Sequence, residues 1–206
     1  GDGIVECWGD NGNGQLEAPD GVFVMVSAGW GHSCGLRGDG IVECWGDNGN
    51  GQLEAPDEVF VMMSAGWLHS CGLRMDGAVE CWGDSSPGRL DVPSGTFTKV
   101  SAGTVYSCGL RTDGTVECWY RSSSKQIDVP SGVFTAVSTG GGHSCGLRSG
   151  GNVECWGDND FGQADAPGGT FTEVSAGGLH SCGLRDDASI TCWGSSWYGQ
   201  VDAPDF

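Results

Sequence analysis

The residues best suited to chemistry recur in this chain as a His-Ser-Cys tripeptide. The tripeptide stands at His32-Ser33-Cys34 and recurs with His69, His143 and His180, while Tyr106 takes the place of the histidine in one copy. A histidine beside a serine or a cysteine is the pairing that activates a nucleophile. A catalytic group needs one special environment, however, and a set repeated at fixed spacing is framework. We therefore expect no catalytic residue and a chain that is not an enzyme.

The cysteines form two series, and each series advances in steps of 37 residues. The series that follows the histidines is Cys34, Cys71, Cys108, Cys145 and Cys182. The series that directly precedes a tryptophan is Cys7, Cys44, Cys81, Cys118, Cys155 and Cys192. A fixed period of this length is the signature of a repeat architecture.

The turn between the two series decides which cysteines meet. If the Gly-Asp-Gly at 38–40 is a three-residue loop, Cys34 faces Cys44, whereas a two-residue loop would put Trp45 there. The three-residue loop leaves Gly40 where a left-handed backbone is needed, and glycine recurs at the equivalent positions. Opposed residues lie within disulfide reach. This predicts five bridges, with Cys7 left unpaired or intermolecular: Cys34–Cys44, Cys71–Cys81, Cys108–Cys118, Cys145–Cys155 and Cys182–Cys192.

Two metal sites compete with this interpretation. His32 with Cys34 and Cys44 would make a Cys₂His zinc site in each unit, but no fourth ligand recurs. The Asp- and Asn-rich loop at 47–51 suggests calcium, yet Gly49 and Gly51 stand where a calcium loop places acids. Asn-Gly is a turn signal instead. We expect no cofactor and no dedicated metal site, and leave weak calcium binding on the acidic surface open.

Short β-strands must position these residues. In one unit the strands are predicted at 23–28, 32–37, 41–45 and 52–55, because runs of β-favouring residues there are bounded by Gly, Asn, Asp and Pro. In this register Arg37 lies diagonally across from Glu43, as a structural ion pair that recurs in later units. Four short antiparallel strands per unit are typical of a propeller blade, and a stacked solenoid is the alternative. We predict an all-β propeller of short four-stranded blades on a 37-residue repeat.

The repeat count predicts about six blades, one of them incomplete. We treat 1–206 as a single repeat domain with units 1–37, 38–74, 75–111, 112–148, 149–185 and a partial unit 186–206. The Cys-Trp pair occurs six times but the strand with the other cysteine occurs five times, so one blade lacks two strands. Open strand edges invite pairing with another chain.

Charge and cysteine content limit the partners and the compartment. The net charge is −18, and a phosphate-binding surface needs clustered cations, so we expect no nucleic-acid partner. No apolar run approaches membrane-spanning length, so no membrane insertion is expected. The cysteine content indicates an oxidising compartment, which places the protein outside the cell or on its surface.

The combined motif resembles the regulator-of-chromosome-condensation repeat family. The matching residues include Ser27-Ala28-Gly29, His32-Ser33-Cys34, Trp45-Gly46, Asn48 and Gly51-Gln52, with equivalents in most units. The resemblance implies a propeller that acts as a binding platform. Nuclear members engage chromatin and a small GTPase, and a secreted bacterial member inhibits β-lactamases. The short unit, the paired cysteines and the acidity are more similar to the secreted branch.

Two loops differ between units and are therefore free for recognition. They lie after Ser-Ala-Gly and after Cys-Trp, and their aromatic residues are the predicted ligand contacts: Trp30, Trp67, Tyr106, Phe161, Trp197 and Tyr198. Exposed loop aromatics anchor interfaces and stack on sugars, although they also fill gaps between blades.

These patterns lead to a secreted or cell-surface, non-catalytic propeller that binds a protein or a glycan through its variable loops. One alternative is a structural subunit of an extracellular filament, which self-associates by completing the unmatched blade. Another is a protein inhibitor of a hydrolase.

Overall fold

A computed structural model describes residues 3–86, 88–120 and 127–203. Regular structure in these residues consists of fifteen β-strands and no helix, in five antiparallel sheets of three strands each. The sheets contain, in order, β1 Phe23–Ala28, β2 His32–Arg37 and β3 Val42–Gly46; β4 Phe60–Ala65, β5 His69–Arg74 and β6 Val79–Gly83; β7 Phe97–Ala102, β8 Ser107–Arg111 and β9 Val116–Trp119; β10 Ala136–Thr139, β11 His143–Leu147 and β12 Val153–Gly157; β13 Phe171–Ala176, β14 His180–Arg185 and β15 Ile190–Gly194. No helix able to span a membrane occurs in the described ranges.

The β2–β3 hairpin has the predicted three-residue turn. Cys34 is opposite Cys44, and the Arg37 amide donates to the Ile41 carbonyl at 2.9 Å. Gly40 has φ of 89°, in the left-handed region that favours glycine. All five predicted disulfides are confirmed, each with its Cα atoms 4.0 Å apart. Since these sulfurs bond to each other, they offer no thiolate for the competing zinc site.

The predicted fourth strand is not present, so the described sheets have three strands rather than four. Residues 52–55 make turns instead, and the Glu54 amide donates to the Gly51 carbonyl at 3.0 Å. The Gln52 carbonyl accepts a hydrogen bond from the Trp82 indole, at 3.0 Å. The polar groups of this segment therefore bond within the loop and to a side chain of the next unit, and do not pair with the backbone of a neighbouring strand.

The hydrophobic core lies between successive sheets. Leu36 and Val42 of one sheet pack with Phe60, Met63 and Trp82 of the next sheet. The same arrangement recurs with Leu73, Phe97, Val100 and Trp119. Because each unit buries its apolar face against its neighbour, the sheets depend on one another as repeat units do.

The predicted Arg–Glu pair closes the hairpin end of four sheets. The Arg37 guanidinium binds the Glu43 carboxylate and lies over the Phe23 ring, 4.8 Å from its centroid. Phe23 in turn contacts Trp45, with ring centroids 5.9 Å apart. The equivalent ion pairs are Arg74–Glu80, Arg111–Glu117 and Arg148–Glu154.

The first sheet exposes a face that is buried in the sheets after it. Val26 is 53% exposed, whereas Val100 at the equivalent position is 2% exposed. Trp8 is 86% exposed, although the equivalent Trp45 is buried. Within the described ranges, no sheet packs over this side of β1, and Cys7 has no disulfide partner.

Candidate binding face

The variable loops lie together at one end of the sheets. The loop from β1 to β2 and the loop after β3 meet through the Asp47 amide, which donates to the Gly31 carbonyl at 2.8 Å. Asp84 and Asp158 make the same bond to Leu68 and Gly142. We call this end the loop face, and the opposite end, where the turns at 38–40 and their equivalents lie, the hairpin face.

Hydrogen bonds between units fix the loop face. The Trp30 amide donates to the Gly66 carbonyl, and the Trp67 amide donates to the Gly103 carbonyl, both at 3.2 Å. A Cβ atom on Gly29 would lie 2.3 Å from the Gly66 oxygen. Glycine is therefore needed after Ser-Ala because the carbonyl of the next unit occupies the space of a side chain. The tryptophans thus stand on a backbone that is bonded from unit to unit.

The His-Ser-Cys residues are buried directly beneath these loops. His32 Nε2 lies 2.8 Å from the Ser70 hydroxyl of the next unit, and His69 lies 2.8 Å from Ser107. Burial lowers the pKa of His32 to about 4 and that of His69 to about 3, so both rings are neutral at physiological pH. With the cysteines in disulfides and with His32, His69 and His143 bonded to serines of the next unit, the repeated set is structural.

Tyr106 is buried, so its prediction as an exposed surface residue is wrong, although it is among the residues that line the cavity described below. It is 3% exposed, and its hydroxyl lies 2.9 Å from the Ser144 hydroxyl. It therefore makes the same contact to the next unit that the histidines make elsewhere. Its position in the repeat, in place of a histidine, was the signal that it belongs to the framework.

The other predicted contacts are on the loop face and are solvent-accessible. Trp30 is 72% exposed and Trp67 36% exposed, and they meet edge to face with ring centroids 5.8 Å apart. Phe161 and Trp197 form a second such pair at 4.9 Å, and Tyr198 is 90% exposed. The aromatics therefore pack across neighbouring units and still present surface to solvent.

The Asp- and Asn-rich loop makes internal turn contacts. Asp47 accepts hydrogen bonds from the Gly49 amide and the Gln52 side chain, at 2.9 and 3.0 Å. The Asn48 side-chain oxygen accepts the Leu53 amide at 3.0 Å. Across the described residues, no group of three or more His, Cys, Asp or Glu side chains is placed to hold a metal ion.

A cavity of about 1150 Å³ opens on the loop face and was not predicted from the sequence. Trp30 and Trp67 line it together with Leu179, Asp128 and Asp158. These residues come from four different units, so only folding brings them together. A second cavity of about 500 Å³ lies at the exposed end, beside Cys7 and Trp8.

Comparisons with known proteins match this architecture. A family model described as the regulator of chromosome condensation (RCC1) repeat matches residues 23–52, 134–163 and 171–200. The chain is similar to the CRINKLY WD40 ectodomain of the Arabidopsis thaliana receptor kinase ACR4, with a TM-score of 0.81 and 30% identity over 99% of this chain and 76% of that one. No curated protein matches the chain.

Two further solved structures share the fold. The ectodomain of the Physcomitrella patens receptor kinase CR4 has a TM-score of 0.78 and 30% identity, and the match covers 92% of this chain and 56% of that one. Prp20p from Saccharomyces cerevisiae has a TM-score of 0.73 and 18% identity, over 87% of this chain and 58% of that one. The chain thus spans little more than half of these two proteins.

Proposed function

Because this chain belongs to the family of regulator of chromosome condensation (RCC1) repeat proteins, we propose that it is an extracellular, non-catalytic propeller that binds a protein partner through its loop face. The observation that carries the proposal is the exposure of Trp30, Trp67 and Trp197, while Trp45 and its equivalents from the second sheet onward are buried. Exposed, rigid aromatics are the residues that most often dominate binding energy at protein interfaces.

The extracellular location is supported by the disulfides and by the relatives. Five bridges in one short chain are typical of an oxidising compartment. Two of the similar structures are receptor-kinase ectodomains.

Protein binding is favoured over a glycan ligand for two reasons. Prp20p, which shares the fold, binds Gsp1p and histones. The aromatics of this chain also come in edge-to-face pairs spread over several units, a surface wider than a single sugar ring. If the captured partner is a hydrolase that loses activity when it is bound, the protein is an inhibitor within the same proposal.

The test compares capture by three immobilised forms of the protein from the extracellular medium of the cells that make it. The forms are the wild type, the loop-face variant Trp30→Ser/Trp67→Ser, and the hairpin-face variant Met75→Ser, which removes an 82% exposed side chain from the opposite end. Each recovered protein is purified and its affinity for the three forms is measured. We expect at least a tenfold loss for the loop-face variant and no change for Met75→Ser. Equal affinity for all three forms would refute the proposal.

A second candidate function is supported by the exposed side of β1. The uncovered Val26, the exposed Trp8 and the unpaired Cys7 lie together there. They would suit a second copy that packs as one sheet packs on the next, in a head-to-tail array. Mass measurement under non-reducing conditions tests this candidate, with Cys7→Ser as the control. A ladder of multiples that the control shortens supports assembly, and a monomer in both forms excludes it.

A further inference from the structure

The larger cavity combines apolar walls with an acidic rim. Trp30, Trp67 and Leu179 supply apolar surface, and Asp128, Asp158 and Asp160 supply carboxylates. None of the described residues that line it is a lysine, an arginine or a histidine. An occupant therefore meets aromatic faces and negative charge together.

Asp158 differs from its equivalents in the other units. In the second unit the Gln52 side chain donates to Asp47 at 3.0 Å, and in the third Arg89 forms an ion pair with Asp84. The Gln163 side-chain nitrogen, by contrast, is buried without a hydrogen-bond partner and does not reach Asp158. The Asp158 carboxylate therefore lacks the hydrogen-bonding or ion-pairing partner that Asp47 and Asp84 have within their own loops.

The six arginines among the described residues are engaged away from the cavity, and Lys99 does not line it. Four arginines pair with glutamates at the hairpin face, and Arg185 donates to the Thr191 hydroxyl there at 2.7 Å. Arg89 is paired with Asp84, and Arg121 and Lys125 fall outside the described residues. None of the three carboxylates at the cavity forms an ion pair with a described residue. These carboxylates, on a chain whose net charge is −18, attract cations to the cavity.

We propose that the partner inserts a basic peptide segment, carrying arginine or lysine side chains, into this cavity. The proposal rests on the proposed function and names the chemistry of its partner. Tryptophan is the aromatic that best attracts a cation over its face, and a guanidinium also matches a carboxylate through two parallel hydrogen bonds. At about 1150 Å³ the cavity exceeds the usual size of a small-molecule pocket, so it suits a segment of several residues.

The probe is the synthetic peptide acetyl-(Gly-Arg)₄-amide, titrated into the wild-type protein by calorimetry at low salt. Two matched peptides replace arginine by citrulline, which keeps the shape and removes the charge, or by glutamate. We expect the arginine peptide to bind at least tenfold more tightly than the citrulline peptide, and the glutamate peptide not to bind. We also expect affinity to fall as salt screens the charges.

Paired variants locate the site. Asp128→Asn/Asp158→Asn removes two charges at the cavity, and Asp39→Asn/Asp76→Asn removes two at the hairpin face, where the asparagine oxygen still accepts the amide that each aspartate accepts. We expect at least a tenfold loss of arginine-peptide affinity for the first variant and less than twofold for the second. Equal losses would mean non-specific attraction to an acidic protein and would overturn the proposal, as would binding of all three peptides alike.

The two proposals fail in different ways. If a native partner requires Trp30 and Trp67 but the arginine peptide does not bind, the basic segment is wrong and the loop-face function stands. If no partner depends on the loop-face tryptophans, the function itself is wrong.

Discussion

At the scale of single residues, the turn between the second and third strands shows what the framework requires. Gly40, Gly77, Gly114 and Gly151 all have φ between 82° and 89°. Ala188 holds the equivalent place in the last hairpin with φ of 69°, the only residue other than glycine with positive φ in the described ranges. A Cβ atom in the left-handed region costs roughly 1–2 kcal/mol, so this hairpin is strained where the others are not.

We expect Ala188→Gly to raise the free energy of unfolding by about 1 kcal/mol, because relief of the left-handed alanine exceeds the added chain entropy of glycine. Chemical denaturation of the oxidised protein measures it. Gly40→Ala serves as the opposite control and should be destabilising, since its Cβ would also lie 2.5 Å from a Val59 methyl carbon. An Ala188→Gly variant no more stable than the wild type would contradict the argument.

At the scale of elements, the buried contacts between sheets explain the repeated motif. The ring of a histidine, or of Tyr106, bonds to the serine of the following sheet, for example His69 to Ser107 and Tyr106 to Ser144. The serine of Ser-Ala-Gly accepts a backbone amide from the following sheet in the same way, as Ser27 does from Ala65 at 3.0 Å. Residues that look like a catalytic set are therefore the polar bonds that join one sheet to the next.

These buried histidines should make stability depend on pH. Burial lowers the pKa of His32 and His143 to about 4 and that of His69 to about 3, below the unfolded value of 6.5. The unfolded chain therefore binds more protons than the folded protein, so stability is full above pH 6.5 and falls as pH drops toward 4. Each histidine contributes a slope of up to about 1.4 kcal/mol per pH unit.

Most carboxyl groups titrate below about pH 5, so the range between about pH 6.5 and 5 reports on the histidines. In this range His69→Tyr, which introduces the residue type found at Tyr106, should flatten the fall in unfolding free energy. Tyr106→His should steepen it. Denaturant unfolding at several pH values measures both, and identical slopes in the three proteins would show that these histidines do not control acid stability.

At the scale of the whole molecule, a sheet buries both of its faces only when another sheet packs on each side of it. The side chain at the third position before the glycine of Ser-Ala-Gly is buried in the second and third sheets, as Met63 and Val100, but exposed in the first sheet, as Val26. A valine at this position therefore lies in the core or in solvent according to which sheet contains it.

Val100→Asp should cost roughly 3 kcal/mol or more, because it buries an unpaired charge, while Val26→Asp should change stability by about 0.5 kcal/mol or less. Unfolding curves of the two variants, with identical chemical changes, measure the difference. A large loss for Val26→Asp at low protein concentration would mean that this face is covered in the folded monomer. A loss that appears only as concentration rises would mean that a second copy covers it.

Much of the architecture follows from the sequence alone, because it depends on local spacing. The length of the turn at 38–40 sets the pairing of Cys34 with Cys44, and the fixed period carries that pairing through the chain. The alternation of strand residues between the two faces of a sheet follows from the same register, as does the diagonal position of Glu43 relative to Arg37. The family and the disulfides could therefore be predicted from residue order.

Only the tertiary structure decided which loop residues are accessible and what they surround. Tyr106 is buried because the next sheet supplies Ser144, and residues 52–55 do not form a strand because their polar groups bond within the loop and to Trp82. The cavity joins Trp30 to Asp158, which are more than a hundred residues apart in sequence. Contacts between units depend on how the sheets pack against one another. The repeat period indicates which units are adjacent along the chain, but not which side chains meet around a cavity.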